Sequence, residues 1–300
     1  MKNTHLHNIA NKTIMLCLSI ILVSCNQDKK ESDLYFNKSK KEFKSKEYLK
    51  ASKHIDISIK LDSSNNDKIL LKAKILNGLE LYEQSNIVLN YLIENNYKKD
   101  TVYYELSQNH FEEGCHYFSE VSNENKMGNS YLTALKYINQ AVKLNSSYIE
   151  AYALKVKILS NNNNYEEAIS CLNQVIKLFP NNKLLLGMRG HVKHQLGDTN
   201  GALIDLTDAI NSNQLDKKDK ATFLRFRGLI FYEQTNYKIA LKDINKSILY
   251  NSKDDYSFEV LGEIYSAMGD YKKACLSYRR SANLGNTLVY EKIKELCGSN

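Results

Sequence analysis

The sequence predicts an all-α fold, a solenoid of about seven helix–turn–helix units. Two observations predict it. Small and apolar residues recur at spacings of three and four, as in helices that bury one face. A tyrosine-led pattern also returns at a nearly fixed interval of 34 residues, and a fixed period of this size marks stacked helical repeats.

The clearest unit is LGEIYSAMGDYKKACLSYRRSANLG, Leu261 to Gly285. It reads as two amphipathic helices broken at Met268-Gly269-Asp270. Leu261, Gly262 and Tyr265 share a face of the first helix, and Ala274, Cys275, Tyr278, Ser281 and Ala282 a face of the second. The small Gly262 and Ala274 allow close approach. Tyr271 anchors the second helix. Its upstream counterparts are Tyr48, Tyr82, Tyr131, Tyr165, Thr199 and Tyr237, giving intervals of 34, 49, 34, 34, 38 and 34 residues. Three residues after each anchor stands a small residue: Ala51, Ser85, Ala134, Ala168, Ala202, Ala240 or Ala274. Seven after it stands Ile55, Leu89, Ile138, Leu172, Leu206, Ile244 or Tyr278. Eleven after it stands Ile59, Ile93, Val142, Ile176, Ile210, Ile248 or Ala282.

This pattern resembles the tetratricopeptide repeat over residues 33–285. Gly190, Gly228 and Gly262 on first helices carry the resemblance, as do Leu196-Gly197-Asp198 and Met268-Gly269-Asp270 at turns, and Pro180 at the end of the fourth repeat. Most other turns have Asn or Lys in place of Gly-Asp, and Tyr or Leu replaces the usual Trp. The resemblance implies a right-handed superhelical solenoid over 33–286. Its repeats lie at about 33–65, 67–99, 101–148, 150–182, 184–216, 222–254 and 256–286. Each would bury its apolar face on its neighbour. Residues 287–300 are expected to form a capping helix and tail, with Leu288, Ile293 and Leu296 covering the last repeat.

Two intervals are irregular. The 49-residue interval inserts residues 115–129, which either lengthen both flanking helices by two turns or form a loop. The 38-residue interval adds four residues near Leu215 to Lys220, expected as a longer solvated connection.

The N-terminus predicts a location. Lys2 and Lys12 flank a polar start with no acid, and residues 13–23 are apolar. That run is shorter than the ~20 residues a bilayer span needs, so residues 1–24 read as a secretory signal. Leu22-Val23-Ser24-Cys25 resembles the lipobox of bacterial lipoproteins. The resemblance implies cleavage between Ser24 and Cys25 and lipid attachment at Cys25, with three acyl chains enough for stable anchoring. Asn26 after the cysteine favours the outer membrane by the same resemblance. Residues 25–32, with the polar stretch running on to Asp33, are expected as a tether.

Composition bounds the rest. The 300-residue chain has one Pro and a net charge of +7. Its lysines are spread and form no arginine-rich stripe, so nucleic-acid binding is not suggested. Cys115, Cys171, Cys275 and Cys297 make no CxxC and no disulfide framework, and Cys171 and Cys275 read as small core residues.

In the resembled family, first helices line a groove that holds peptides or protein segments. Counting from the anchors places Phe36, Phe43, Leu70, Leu71, Tyr104, Phe111, Ala153, Leu154, Met188, Phe226, Leu229, Tyr232, Tyr256 and Val260 there. Many are apolar, where a solvated helix face should be charged. The competing expectation is that these residues pack between repeats. Arg225 and Lys157 share the groove and are placed to meet a carboxylate. The Lys/Asn/Arg clamp used by some members for chaperone tails is not reproduced. His191 and His194 stand three apart on one helix face, but no carboxylate or cysteine completes a metal set nearby. His110, Cys115 and His116 are similarly incomplete. The chain has no phosphate loop, nucleophile elbow, HExxH or dinucleotide fingerprint. The sequence therefore predicts a lipid-anchored interaction scaffold without cofactor, holding an envelope protein or peptide. The alternative is a small-ligand or glycan-binding lipoprotein that feeds a transporter.

Overall fold

The computed structural model describes residues 27–118 and 124–298. Among them it shows fifteen α-helices, one short 3-10 helix and no strand. The described part of helix α1 spans 27–44. It is followed by α2 (Tyr48–Leu61), α3 (Asn66–Gly78), α4 (Tyr82–Glu94), α5 (Lys99–Phe118) and α6 (Glu124–Leu144). Then come α7 (Ile149–Asn161), α8 (Tyr165–Leu178), α9 (Lys183–Gln195), α10 (Thr199–Asn211), α11 (Lys217–Glu233) and α12 (Tyr237–Tyr250). Helices α13 (Asp255–Ala267) and α14 (Tyr271–Asn283), a 3-10 turn (Thr287–Val289) and α15 (Tyr290–Cys297) complete the order. The chain divides after Ser147 into two compact units. Within each, consecutive helices pair and neighbouring pairs stack.

The repeat register explains the pairing. Tyr48, Tyr82, Tyr165, Thr199, Tyr237 and Tyr271 each open the second helix of a pair. All seven small residues three positions on, Ala51 to Ala274, are fully buried. So are six of the seven residues at position seven, and Tyr278 is 2% exposed. The small residue lets the helices close, and the large one fills the seam.

The turns explain Gly-Asp. The residue two before each helix-opening anchor has positive φ: Lys46, Glu80, Asn163, Gly197, Thr235 and Gly269. This left-handed conformation ends the first helix, and glycine adopts it without a Cβ penalty. The aspartate that follows Gly197 or Gly269 then caps the second helix. Asp198 accepts from the Gly201 N–H and Asp270 from the Lys273 N–H. Thr235, β-branched at φ 59°, strains its turn. Thr235→Gly is therefore expected to raise stability by about 1 kcal/mol, read as a higher urea midpoint. A lower midpoint would mean that the threonine side chain holds the turn.

Several expectations need correction. Residues 27–33 are helical, not a tether. Ser32 is buried and bonds Ser58, while the fully buried Lys68 donates to Ser32 Oγ and Asp62 Oδ2, each at 2.8 Å. A polar stretch looked solvated because its buried partners lie on α2 and α3. The 115–129 insertion follows the first of its two expectations: its described residues lengthen both flanking helices, giving α5 20 residues and α6 21. The four extra residues of the 38-residue interval are not a loop. Asp216 caps the Asp219 N–H, so 217–220 become the first turn of a 17-residue α11. Leu288 is 54% exposed, and Val289 takes its place beside Ile293 and Leu296 in the cap.

Cys275 is not a free core thiol. It forms a disulfide with Cys297, 22 residues on, and pins α15 to α14. Cys171 is free and buried, and burial pushes its thiol up. Cys297→Ser is expected to cost about 3 kcal/mol of cap docking, from the loop entropy returned to the unfolded chain. Thermal unfolding with and without reductant checks this. Equal curves for wild type and variant under oxidising conditions would contradict it. Ser24 and Cys25 lie outside the described residues. No helix among the described residues is long and apolar enough to cross a membrane.

Candidate functional site

First helices carry the candidate groove residues, and both units contain some of them. In the first unit, Phe36 and Lys40 of α1 and Asp67, Leu70, Leu71 and Lys74 of α3 line an open concavity of about 290 Å³. Lys40 sits 4.2 Å above the Phe36 ring. Lys74 pairs with Glu105 of α5 at 2.6 Å. Asp67 accepts from Lys98 at 2.8 Å and from the Tyr97 hydroxyl, and these bonds hold its carboxyl below the usual range. Leu70 and Leu71 are buried. Leu70 packs toward α4 and α5, and Leu71 toward α1 and α2. Phe43 also packs into that core. Tyr104 and Phe111 are half-buried, with Phe111 against Tyr131 at 5.9 Å.

In the second unit, a row of rings and charges crosses three first helices. His191 of α9 stacks on Phe226 of α11, with centroids 3.9 Å apart. The Arg225 guanidinium lies 4.7 Å from the Phe226 ring and 5.4 Å from the Tyr256 ring of α13. Such cation–π geometry fixes the arginine beside the rings. Arg225 is already paired, its Nε donating to Asp254 Oδ2 at 3.1 Å. Burial, then the Arg225 and His194 charges, push the His191 imidazole down to about 4. It is therefore neutral at ordinary pH. Leu229 and Tyr232 are half-buried beside the α12–α13 core. Burial, helped by the Glu263 charge, raises the Tyr232 hydroxyl. Tyr256 is 44% exposed.

The expected groove residues therefore separate into two sets. Leu70, Leu71, Ala153, Leu154, Met188 and Val260 are buried in packing between helices. Phe36, Tyr104, Phe111, Arg225, Phe226, Leu229, Tyr232 and Tyr256 keep surface. Lys157 is exposed and its charge acts on Asp219. His194 does not join His191 in a ligand set. Its Nε2 meets Glu233 at 3.1 Å, and its buried Nδ1 has no partner among the described residues. His110 lies 3.2 Å from Glu113 and stacks on Tyr137, and Cys115 receives the Tyr131 hydroxyl at 3.6 Å.

Sequence reasoning missed two ion pairs inside repeats. Arg189 grips Asp205 at 2.7 and 2.9 Å, and Arg227 grips Asp243 at 2.7 and 2.9 Å. The signal was available: the same Arg-to-Asp spacing of 16 residues occurs in both adjacent repeats. Burial would raise the Asp205 carboxyl, but Arg189 and Lys193 together hold it below its ordinary value.

Known proteins match this architecture. The tetratricopeptide repeat family model matches residues 149–182 and 257–284. Signal recognition particle subunit SRP72 of Homo sapiens and that of Canis lupus familiaris are each 27% identical to this chain over 183 residues. The match takes in 60% of this chain and 25% of theirs, about a quarter of those curated relatives' length. A tetratricopeptide repeat protein from Parabacteroides merdae ATCC 43184, known from its crystal structure, superposes with a TM-score of 0.64 at 14% identity. That superposition covers 89% of this chain and 97% of the other, and at this identity the likeness concerns the fold alone. The chain is thus a helical-repeat protein with the fold of a tetratricopeptide solenoid, and its residues 149–182 and 257–284 match the model of that family.

Proposed function

We propose that this protein is a non-catalytic scaffold, lipid-anchored through Cys25 in a bacterial envelope, that holds a segment of another envelope protein. The outer membrane is the proposed site. The observation that carries the binding role is the first-helix face of the second unit. There the exposed Tyr256 and the half-buried Phe226 flank Arg225, and the half-buried Leu229 and Tyr232 follow along α11. Aromatic residues and arginine are the usual anchors of protein interfaces. Two features support the location. The apolar run 13–23 ends at Ser24-Cys25. The Cys275–Cys297 disulfide suits an oxidising compartment.

The test is partner recovery from native membranes after brief cross-linking. A Phe226→Ser, Tyr232→Ser, Tyr256→Ser triple variant is expected to lose the recovered protein while its circular dichroism stays helical. The milder Tyr256→Ser, which removes the ring beside Arg225 and leaves Phe226 and Tyr232 in place, should weaken recovery while the circular dichroism stays helical. Undiminished recovery with both would remove this face from consideration. A melting temperature raised by an oligosaccharide instead of by a peptide would favour the transporter-feeding alternative.

A further inference from the structure

The first helix pair carries most of the chain's excess positive charge. Residues 27–61 hold ten lysines against six acids, a net charge of +4, in a chain whose net charge is +7. Lys2 and Lys12 account for +2, which leaves +1 for residues 62–300.

That charge has a face. Helix α1 meets α2 through Ser32, Tyr35, Ser39 and Glu42, which contact Ser58, His54 and Ala51. Phe36 and Phe43 turn into the core with α3. The side of α1 away from α2 presents Lys30, Leu34, Asn37, Lys41 and Lys44 at steps of three and four, all exposed. Leu34 is 66% exposed. Four of the six acids are paired: Glu42 with His54 at 2.6 Å, Glu47 with Lys50, Asp56 with Lys72 at 2.8 Å and Asp33 with Lys68 at 3.6 Å. Asp28 and Glu31 stand near the beginning of the described part of α1. The described part of α1 begins at Gln27, two positions after Cys25 in the sequence.

We infer that α1 lies along an anionic membrane surface, with Lys30, Leu34, Lys41 and Lys44 in the headgroup layer. The proximity of that surface rests on the anchoring of Cys25 proposed above. The charge and the exposed leucine are independent of it. A basic helix face with an apolar side chain suits the interface, and each lysine near anionic phospholipid adds attraction. An 18-residue helix is about 27 Å long, so only a helix lying flat brings both Lys30 and Lys44 to the surface.

The experiment is amine labelling of the full chain, isolated from whole cells in mild detergent and mixed into vesicles. One set contains phosphatidylglycerol with phosphatidylethanolamine, and the other phosphatidylcholine alone. Mass spectrometry reads the labelling rate at each lysine. On anionic vesicles Lys30, Lys41 and Lys44 are expected to react roughly fivefold more slowly than on neutral ones. The difference should vanish in about 1 M salt, where screening shortens the field to about 3 Å. Equal rates on the two vesicles would overturn the inference. So would slowing confined to Lys29 and Lys30, which describes a helix standing upright. The anchor is read separately, from the mass of the N-terminal peptide. An unacylated Cys25 with slowed lysines removes the anchor and leaves the membrane face. An acylated Cys25 with equal rates does the reverse.

Discussion

Replacing Arg227 with alanine is expected to destabilise the protein by about 3–5 kcal/mol. Its Nε and Nη2 hold both oxygens of Asp243, and its Nη1 donates to Thr207 at 3.1 Å. The Asp243 side chain is 5% exposed. Without the guanidinium, a buried carboxylate loses its partner and gains no water. The cost is that of an uncompensated charge, not the worth of the pair. Arg227→Met with Asp243→Leu should therefore recover most of the loss, because well-packed apolar residues replace a buried pair at little cost. Urea unfolding of both variants checks this, and a double variant no better than Arg227→Ala would contradict it. The homologous Arg189→Ala should cost less, because Lys193 stays 2.9 Å from Asp205. Its effect also has a pH signature. The folded Asp205 carboxyl lies below its unfolded value, so the pair's contribution is present above about pH 4 and fades as pH falls through the lowered folded value.

Truncating Leu206 to alanine is expected to cost about 2–5 kcal/mol. Leu206 is fully buried seven residues after its anchor. Its Cγ lies 2.8 Å from where a Cβ on Gly190 would stand, and the Ala202 carbonyl lies 3.0 Å from it. The leucine thus fills the space that glycine leaves at the closest approach of α9 and α10. Gly190→Ala alone should destabilise by about 1–3 kcal/mol through overpacking. In the Gly190→Ala, Leu206→Ala double variant the new methyl occupies part of the cavity. Its loss should therefore be smaller than the sum of the two single losses. Strict additivity in urea unfolding would mean that the two residues do not share this seam.

These two sites show what the sequence made legible. Leu206 was readable because the seam repeats: position seven is large in every unit, and the structure buries it each time. The left-handed turn residue was readable only at Gly197 and Gly269. Lys46, Glu80 and Thr235 adopt the same conformation against their own preference, because the helices on either side demand it. The Asp243 partner and the Lys68 cluster were not read. They join residues 16 and 36 apart in chain, and helical periodicity reports only neighbours on one helix. The Cys275–Cys297 disulfide escaped for the same reason. The candidate face was legible as a list of positions, not as a surface. Periodicity puts Leu70 and Tyr256 on equivalent helices, yet packing buries the first and exposes the second.

The scaffold reading is tested most directly by a photo-cross-linker placed at Tyr256 and, in a second protein, at Leu249. Both side chains are exposed, at 44% and 79%. Tyr256 lies on the first-helix face and Leu249 on a second helix, α12. In native membranes, one discrete cross-linked polypeptide at Tyr256 and none at Leu249 is the predicted result. The same product at Leu249 with none at Tyr256 would contradict the account and move binding off the first-helix face.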